Sequence, residues 1–340
     1  MRSPLPKSPF LRVALVAPVI AGLVLLAVWR YPEFNLVADA FRVVAWEWVA
    51  AAILINLLSV LVRSAAWRTV LHESFPHMRL RSRSVFAAFC VGLLGNAVLP
   101  GRVGELARVA VLARRVRRSG AWATIVGTVF AHRMFDLVAS AALVVYVLYA
   151  SRLPNWAGPG LALVFGIGLG LLTAGLILAR RHHHSVADEF GVVRRALVRA
   201  RAGLVVFHRP APAVGALFLQ VCGWTAQLFA VWASMRAFQI EGSIPAAALV
   251  LVLMNLATVF PLWPGNVGLV QAAVALPLLQ YGIVYPHGIA FGFGLQAIEA
   301  SVGVGLGLAF LAREGFTFAM LKRMPEVTEV EFDERVERIA

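Results

Sequence analysis

Residues 84–112 read SVFAAFCVGLLGNAVLPGRVGELARVAVL, an apolar run that a Pro-Gly pair at positions 100–101 interrupts. Proline removes a backbone donor and clashes with the preceding turn, so this stretch should form two short helices around a bend. A second apolar stretch, residues 245–281, is broken in the same way by Pro-Gly at 264–265. The two broken stretches therefore predict two helical hairpins, each of which enters and leaves the membrane on one side.

The composition around these hairpins is that of a helical membrane protein. Of the 340 residues, 60% are hydrophobic and 14% are charged, whereas a soluble domain carries about 25% charged residues. This excludes a water-soluble enzyme and a disordered chain, and the solidly apolar runs argue against a transmembrane β-barrel, whose strands alternate. Cys90 and Cys222 both lie within apolar runs, which predicts neither a disulfide framework nor a zinc site.

Six further apolar runs approach or exceed the roughly 20 residues that cross a bilayer. The first resembles a signal peptide, but it lacks a small-residue cleavage pattern, so we interpret it as a retained helix. Together with two opposed re-entrant hairpins, these runs predict an all-α polytopic fold in a single transmembrane domain, residues 1–312. The predicted spans are Leu11–Trp29, Val43–Val62, Ala121–Ala150, Gly160–Leu178, Pro212–Met235 and His287–Ala312.

Basic residues predict the orientation, because cytoplasmic loops of membrane proteins are enriched in Arg and Lys. Both flanks of the first broken stretch are strongly basic and those of the second are not, so the two hairpins should enter from opposite faces. Both termini should then be cytoplasmic in a plasma-membrane protein. The net charge of +14 fits loops that face anionic lipid better than it fits nucleic-acid binding. The basic residues left on the outer side are Arg30, Arg42, Arg152 and Arg236.

Two cytoplasmic segments lie outside the predicted spans. In residues 186–208 the apolar side chains share one helical face. This pattern fits two alternatives equally well, a helix that lies in the membrane interface and a solvated helical linker. The tail at residues 313–340 is acidic and too short for a catalytic domain. The histidines at 182–184 follow two arginines and have no other ligands nearby, so we predict neither a metal nor another cofactor.

The hairpins contain an internal repeat, PGRVGE at residues 100–105 and PGNVGL at residues 264–269, with a spacing of 164 residues. One copy should start outside and the other inside, which is the inverted repeat found in many transporters. A helix that begins at such a bend directs free amides and a partial positive charge toward the bilayer centre, where they can hold a phosphate. The glycines expected to leave this surface open to a ligand are Gly101, Gly104, Gly265 and Gly268.

Charged residues occur inside the membrane stretches, where each costs roughly 2.5–3.5 kcal/mol. Arg102, Glu105 and Arg108 share one helical face. Either the arginines bind an anionic headgroup, with Glu105 positioning them or carrying a proton, or all three lie at the wet interface of a shallow hairpin. Arg133 and Asp136 are one turn apart, and they either take part in substrate or proton coupling or simply neutralise each other.

The remaining polar residues of the membrane stretches are less distinctive. Glu299 has no evident partner in the sequence and could accept a proton. His132 with Asp136 resembles an acid–base pair, but no nucleophile stands out nearby, so we expect no enzyme. The amides that could either bond helices together or contact a ligand are Asn96, Asn255, Asn266 and Gln271.

The sequence GNAVLPGRVGELAR at residues 95–108 resembles the hallmark of the lysylphosphatidylglycerol synthase transmembrane, or flippase-like, family. Residues 133–136, RMFD, resemble its Arg-x-x-Asp pair, and residues 264–268 resemble its second Pro-Gly motif. The resemblance extends over most of the chain. Two positions depart from the family pattern, since Gln271 and His132 stand where acidic residues are usual.

The resemblance implies movement of lipid-linked molecules between leaflets, as is thought of relatives linked to aminoacylated phosphatidylglycerol or to polyprenyl-phosphate sugars. Full synthases carry an aminoacyl-transfer domain that this chain has no room for, so we expect no lysyl-lipid synthesis. We expect a transporter of an anionic or phosphate-linked lipid, a phospholipid or a polyprenyl-phosphate conjugate.

Two alternatives remain open. One is a membrane enzyme or enzyme subunit that acts on a lipid carrier, and the other is a structural partner of a separate lipid-modifying enzyme. The residues expected to bind the headgroup are Asn96, Gly101, Arg102, Gly104, Glu105, Arg108, Arg133, Asp136, Gly265, Asn266, Gly268, Gln271 and Glu299.

Overall fold

The computed structural model describes residues 33–78, 80–98, 104–116, 121–153, 158–161, 166, 170, 200–258 and 264–313. The regular elements in these ranges are helices, and none is a strand. The long and short α-helices are α1 (Glu33–Arg42), α2 (Trp46–Ser74), α3 (Ser82–Val98), α4 (Gly104–Val116), α5 (Ala121–Ala150), α6 (Pro210–Ala237), α7 (Ile244–Ala257), α8 (Leu269–Leu278) and α9 (Tyr285–Arg313). Short 3-10 helices occupy Val205–His208, Pro264–Asn266 and Leu279–Tyr281.

Several sequence-based predictions lie outside the described residues. They are the span Leu11–Trp29, most of the span Gly160–Leu178, residues 186–199 of the cytoplasmic segment, and the acidic tail after Arg313. The described end of the cytoplasmic segment lies against α5, where Val206 is fully buried and the ring of Phe207 stacks on that of Phe135.

Four helices, α2, α5, α6 and α9, are long and apolar enough to cross a membrane. Each has 28 to 30 residues, which corresponds to about 42–45 Å of helix. The bounds of α5, α6 and α9 agree with the predicted spans to within two residues. The helix α2 begins at Trp46 and continues to Ser74, beyond the predicted span Val43–Val62. Arg63 ends the apolar run in the sequence, but its charge is paired inside the protein and does not end the helix.

Each broken stretch forms two separate short helices, α3 and α4 in the first hairpin and α7 and α8 in the second. In the first hairpin the helices are antiparallel, since Arg115 near the end of α4 donates to the Ser84 hydroxyl near the start of α3. The helices touch closely at Gly95, where a Cβ atom would lie 2.7 Å from the Gly104 Cα. Small residues at such positions let two backbones approach in a membrane protein.

The bend of the second hairpin has a left-handed backbone. Gly265, Asn266 and Gly268 have φ angles of 69°, 44° and 93°, a region that Gly adopts freely and Asn tolerates better than most other residues. Side-chain amides hold the bend, because Asn266 Nδ2 donates to the Ala257 carbonyl at 2.8 Å and the Gly268 amide donates to Gln271 Oε1 at 2.6 Å. The bend is thus fixed by its own polar groups.

The helices α2–α5 and α6–α9 contain the two copies of the sequence repeat, and the first helices of the two sets run in opposite directions. The evidence is the pairing of α2 with α6, which are equivalent helices and lie antiparallel. Ser59 Oγ donates to the Gly223 carbonyl at 2.8 Å across 164 residues, the same spacing as the two Pro-Gly motifs. This contact therefore joins positions of α2 and α6 that the sequence repeat makes equivalent. Contacts along the pair join Ala45 to Ala237, Ser59 to Gly223 and Glu73 to Arg209.

Buried apolar residues form two large clusters, one around each hairpin. One contains α3 and α4 with the adjoining ends of α2, α5 and α9. The other contains α7 and α8 with parts of α5, α6 and α9. The polar residues of the bundle are concentrated between these clusters, and this arrangement positions the site.

Candidate functional site

A cavity of about 610 Å³ lies where the two hairpins meet the long helices. Its volume is in the range of small-molecule sites, and helices from both copies of the repeat form its wall. The polar side chains along the wall are Asn56, Arg63, Asn96, Glu105, Arg108, His132, Arg133, Gln227, Asn255, Thr258, Asn266, Gln296 and Glu299.

Asp136 lies behind the charged part of the cavity wall and holds its arginines in place. Its carboxylate accepts from Arg63 Nη2 at 3.1 and 3.3 Å and from Arg133 Nη1 at 2.8 Å. Trp224 Nε1 donates to it at 2.8 Å, and the Gln220 amide donates to the same oxygen. A buried carboxylate is costly unless it is paired and hydrogen-bonded, and here four side chains supply those bonds.

Glu105 continues the ion pairs toward the first hairpin. Its two oxygens contact the guanidinium groups of Arg133 and Arg108. The result is a chain of alternating charge that runs from Arg63 through Asp136, Arg133 and Glu105 to Arg108. Neighbouring opposite charges lower the cost of placing each one in the membrane.

Arg108 is the most deeply buried arginine among the described residues, with 3% of its surface exposed. Its guanidinium carbon lies 4.9 Å from the centroid of the Trp67 ring and 5.8 Å from that of Phe89. These cation–π contacts cover the flat faces of the guanidinium. The N–H donors at its edge remain available for hydrogen bonds. Arg108 Nε has no hydrogen-bond partner, although this side chain lines the cavity.

Two neutral polar residues beside Arg108 also retain unused hydrogen-bonding atoms. The imidazole Nε2 of His132 lies 3.2 Å from the Arg63 carbonyl, and its Nδ1 has no partner. The side-chain oxygen of Asn96 has none either. Buried polar atoms in proteins are usually hydrogen-bonded, so these atoms mark the part of the wall that a polar ligand would complete.

The opposite wall, from α6 to α9, is held mainly by amides. Gln271 Nε2 donates to Gln296 Oε1 at 2.7 Å, and the Gln296 amide donates to the Gly265 carbonyl. Glu299 accepts from Gln227 Nε2 at 2.6 Å. This wall therefore fixes the second bend without the alternating charges of the first wall.

The structure brings seven of the predicted residues together on the cavity wall. These are Asn96, Glu105, Arg108, Arg133, Gly265, Asn266 and Glu299. Asp136 lies directly behind them and positions Arg133. Gly101 and Arg102 lie outside the described residues.

The other three predicted residues lie away from the described cavity wall. A Cβ atom on Gly104 would collide with the Gly92 carbonyl and with Asn96, so this glycine permits contact between α3 and α4 and does not leave a surface open. Gln271 is buried beneath the second bend, where its amide holds Gly268 and Gln296. Gly268 has open space around its Cα.

Sequence reasoning missed four polar residues that build the site. Arg63 follows the predicted span Val43–Val62, so the sequence predicts it in the basic cytoplasmic segment before the first hairpin, and the two glutamines and the tryptophan of α6 lie within the predicted span Pro212–Met235. The internal repeat could have identified three of these residues. At the 164-residue spacing, residues 56 and 63 of α2 correspond to residues 220 and 227 of α6, and all four are polar. The missed residues are Arg63, Gln220, Trp224 and Gln227.

No group of three or more His, Cys, Asp or Glu side chains that could hold a metal occurs in the described part of the chain. The family model for the lysylphosphatidylglycerol synthase TM region matches residues 10–307. No curated protein and no solved structure matches the chain. With its bilayer-length helices, this match makes the chain an integral membrane protein related to lipid handling.

Proposed function

The chain belongs to the lysylphosphatidylglycerol synthase TM family, and on this premise we propose that it transports an anionic or phosphate-linked lipid between membrane leaflets. The headgroup binds in the cavity between the two hairpins, and the acyl or polyprenyl chains remain in the bilayer. The substrate is a phospholipid or a polyprenyl-phosphate conjugate.

The observation that carries this proposal is the unused edge of the Arg108 guanidinium. The side chain is buried, faces a cavity, and has an Nε donor without a partner. A guanidinium offers donors in a fixed fork that matches the oxygens of a phosphate. Arg133, whose side chain is 40% exposed, and Arg63 face the same space and add positive potential to it.

The acidic residues partly offset the positive potential of these three arginines. Glu105 and Asp136 lie between the arginines and hold them apart in fixed positions. A bound phosphate oxygen replaces part of the interaction between Glu105 and Arg108, so the site exchanges one anionic partner for another. Such an exchange allows the lipid to bind without leaving it trapped, as a transporter requires.

The proposed topology explains how the headgroup reaches the cavity. With both termini in the cytoplasm of the plasma membrane, the protein has six spans, and the first and second hairpins enter from the cytoplasmic and outer faces, respectively. The inverted copies of the repeat support this arrangement. Alternate opening of the two hairpins then exposes the cavity to one leaflet at a time. Basic cytoplasmic loops contact anionic lipids.

On this proposal the protein is a transporter and not an enzyme, and movement is driven by gradients of the lipid or of an ion. A separate lipid-modifying enzyme would supply or consume the lipid. The rival function, a membrane enzyme or subunit acting on a lipid carrier, predicts product formation in detergent solution, where no leaflets exist.

The test is native mass spectrometry of the gently purified protein, with Arg108→Ala beside the wild type. Loss of a charged hydrogen bond should weaken retention of a phosphate-bearing lipid by roughly ten- to a hundredfold. Arg42→Ala is the matched control, because Arg42 is exposed and pairs with Asp39 on α1, away from the cavity. Arg108→Lys is a second variant, which keeps the positive charge but lacks the forked donors of the guanidinium. If Arg108→Ala fails to fold, Arg108→Lys still tests whether those donors hold the lipid.

Transport itself is measured with a fluorescent anionic phospholipid in proteoliposomes, by its accessibility to a membrane-impermeant quencher. The wild type should move the probe, and Arg108→Ala should move it more slowly in proportion to its loss of binding. Equal lipid retention in all variants, or no movement of any candidate lipid under several ion gradients, would contradict the proposal.

A further inference from the structure

Glu299 is the exception on a wall that otherwise has no charge. Among the described lining residues that α6–α9 contribute, it is the one with an ionisable side chain. It lies on α9 and accepts a hydrogen bond from Gln227 Nε2 at 2.6 Å. No described cation forms an ion pair with it, whereas Glu105 and Asp136 each contact two arginines.

The internal repeat shows how this environment differs from that of the other acids. Gln227 occupies the position in α6 that Arg63 occupies in α2. Arg63 is a cation that pairs with a buried carboxylate, and its counterpart is a neutral amide that faces Glu299. The first copy therefore fixes its acids as carboxylates, but the second copy leaves its acid free to change charge.

The charges that face the cavity make such a change useful. The other ionisable groups that the described residues contribute are Arg63 on α2, Glu105 and Arg108 on α4, and His132 and Arg133 on α5. Asp136 pairs with two of them from behind. Among these described groups, arginines and carboxylates are equal in number when Glu299 is ionised, and a bound phosphodiester adds one negative charge. Net charge in a poorly solvated site is costly, and one proton on Glu299 removes it.

We propose that Glu299 is the proton-binding site that couples lipid movement to proton transfer, a mechanism that rests on the proposed function. The carboxylate takes one proton from water when the phosphate-bearing headgroup enters the cavity. It returns that proton to water when the headgroup leaves toward the other leaflet. Only an O–H bond forms and breaks, and no other reactant is needed.

The coupling is reciprocal, because two ligands that favour each other must do so by the same factor. Headgroup binding promotes protonation, and protonation strengthens headgroup binding. Affinity for an anionic lipid should therefore be full at low pH and fall as pH rises through the pH at which Glu299 loses its proton. The fall should approach about tenfold per pH unit, the limit for one linked proton.

The experiment measures binding of short-chain phosphatidylglycerol to the purified protein across a pH series. The wild type should lose affinity as pH rises, while Glu299→Gln, which mimics the neutral acid, should bind tightly at every pH. Glu241→Gln is the control, since Glu241 is exposed at the outer end of α6 and should leave the pH dependence unchanged. In proteoliposomes, a pH gradient should accelerate transport by the wild type and have no effect on Glu299→Gln.

Wild-type pH dependence in Glu299→Gln would overturn the inference and leave the proposed function standing. A transport response to a sodium gradient but not to a pH gradient would also overturn it. If the wild type binds no anionic lipid, the proposed function fails, and infrared spectroscopy still decides the role of Glu299. A protonated carboxyl band that grows as the pH is lowered and that Glu299→Gln removes supports proton binding, and absence of that band at every pH of the series excludes it.

Discussion

Asp136 accepts hydrogen bonds from four side chains, two of which are arginines on different helices. We expect Asp136→Asn to destabilise the protein by about 3–5 kcal/mol, because it leaves a buried guanidinium without its counter-charge. The destabilisation should appear as a lower midpoint of unfolding in a denaturing detergent, followed by circular dichroism.

The matched control is Asp39→Asn, which breaks the exposed ion pair between Asp39 and Arg42 on α1. Exposed pairs contribute less than about 1 kcal/mol, so this variant should unfold close to the wild type. Combining Asp136→Asn with Arg63→Gln should recover part of the lost stability, because no unpaired cation then remains. A double variant that is as unstable as the sum of the two single variants would contradict the pairing.

Charged residues inside a membrane stretch are unusual, and that position alone makes them recognisable in the sequence. Glu105, Arg108, Arg133 and Asp136 were found in this way, and the structure joins them in one chain. Arg63 was missed, because an arginine at the end of an apolar run has the same local pattern as a loop residue. Its partner is 73 residues away, and no local pattern encodes that pairing.

Gly104 stands at the start of α4, where the two helices of the first hairpin come into contact. A Cβ atom there would collide with the Gly92 carbonyl, and that backbone atom can move only if the helices separate. Gly104→Ala should therefore cost about 1–3 kcal/mol through overpacking and lower the melting temperature in detergent. It should also weaken lipid retention, since Glu105 and Arg108 lie on the displaced helix.

Gly215→Ala is the control for this substitution. Gly215 lies within α6, and a Cβ atom there would have no neighbour within 4 Å. Alanine is favoured over glycine inside a helix by about 1 kcal/mol, so this variant should match or exceed the wild type in stability. If Gly104→Ala melts like Gly215→Ala, the close approach of α3 and α4 is not needed for the fold.

The chemistry of proline and glycine made the break in each of the two apolar stretches predictable. Both broken stretches form pairs of short helices on either side of their Pro-Gly motifs. The role of Gln271 was not predictable in the same way. Its amide reaches the Gly268 backbone and Gln296 on another helix, and such contacts depend on tertiary packing that the linear pattern does not contain.

The molecule as a whole combines a symmetric backbone with an asymmetric distribution of charge. Equivalent helices α2 and α6 meet at Ser59 and Gly223, and the two hairpins lie on either side of this contact. The described charges of the first copy form a paired chain, whereas the cavity wall of the second copy carries Glu299 alone. The two hairpins thus share a similar backbone plan and differ in the charges that lie beside them.

The proposed orientation of the whole molecule is open to a direct test by labelling single cysteines. Cys90 and Cys222 are the free cysteines of the chain, and both are replaced first. His77→Cys lies in the exposed connection between α2 and α3, and Arg152→Cys lies just after α5. Because α5 separates these two positions, they should lie on opposite sides of the membrane.

A membrane-impermeant maleimide applied to intact cells should therefore label Arg152→Cys and leave His77→Cys unlabelled until the cells are opened. The reason is that the segment before the first hairpin is strongly basic and the segment after α5 is not. Labelling of both sites from one side would mean either that α5 does not cross the membrane completely or that the first hairpin does, and it would contradict the proposed topology. The reverse pattern would place both termini outside and would reverse the direction from which each hairpin enters.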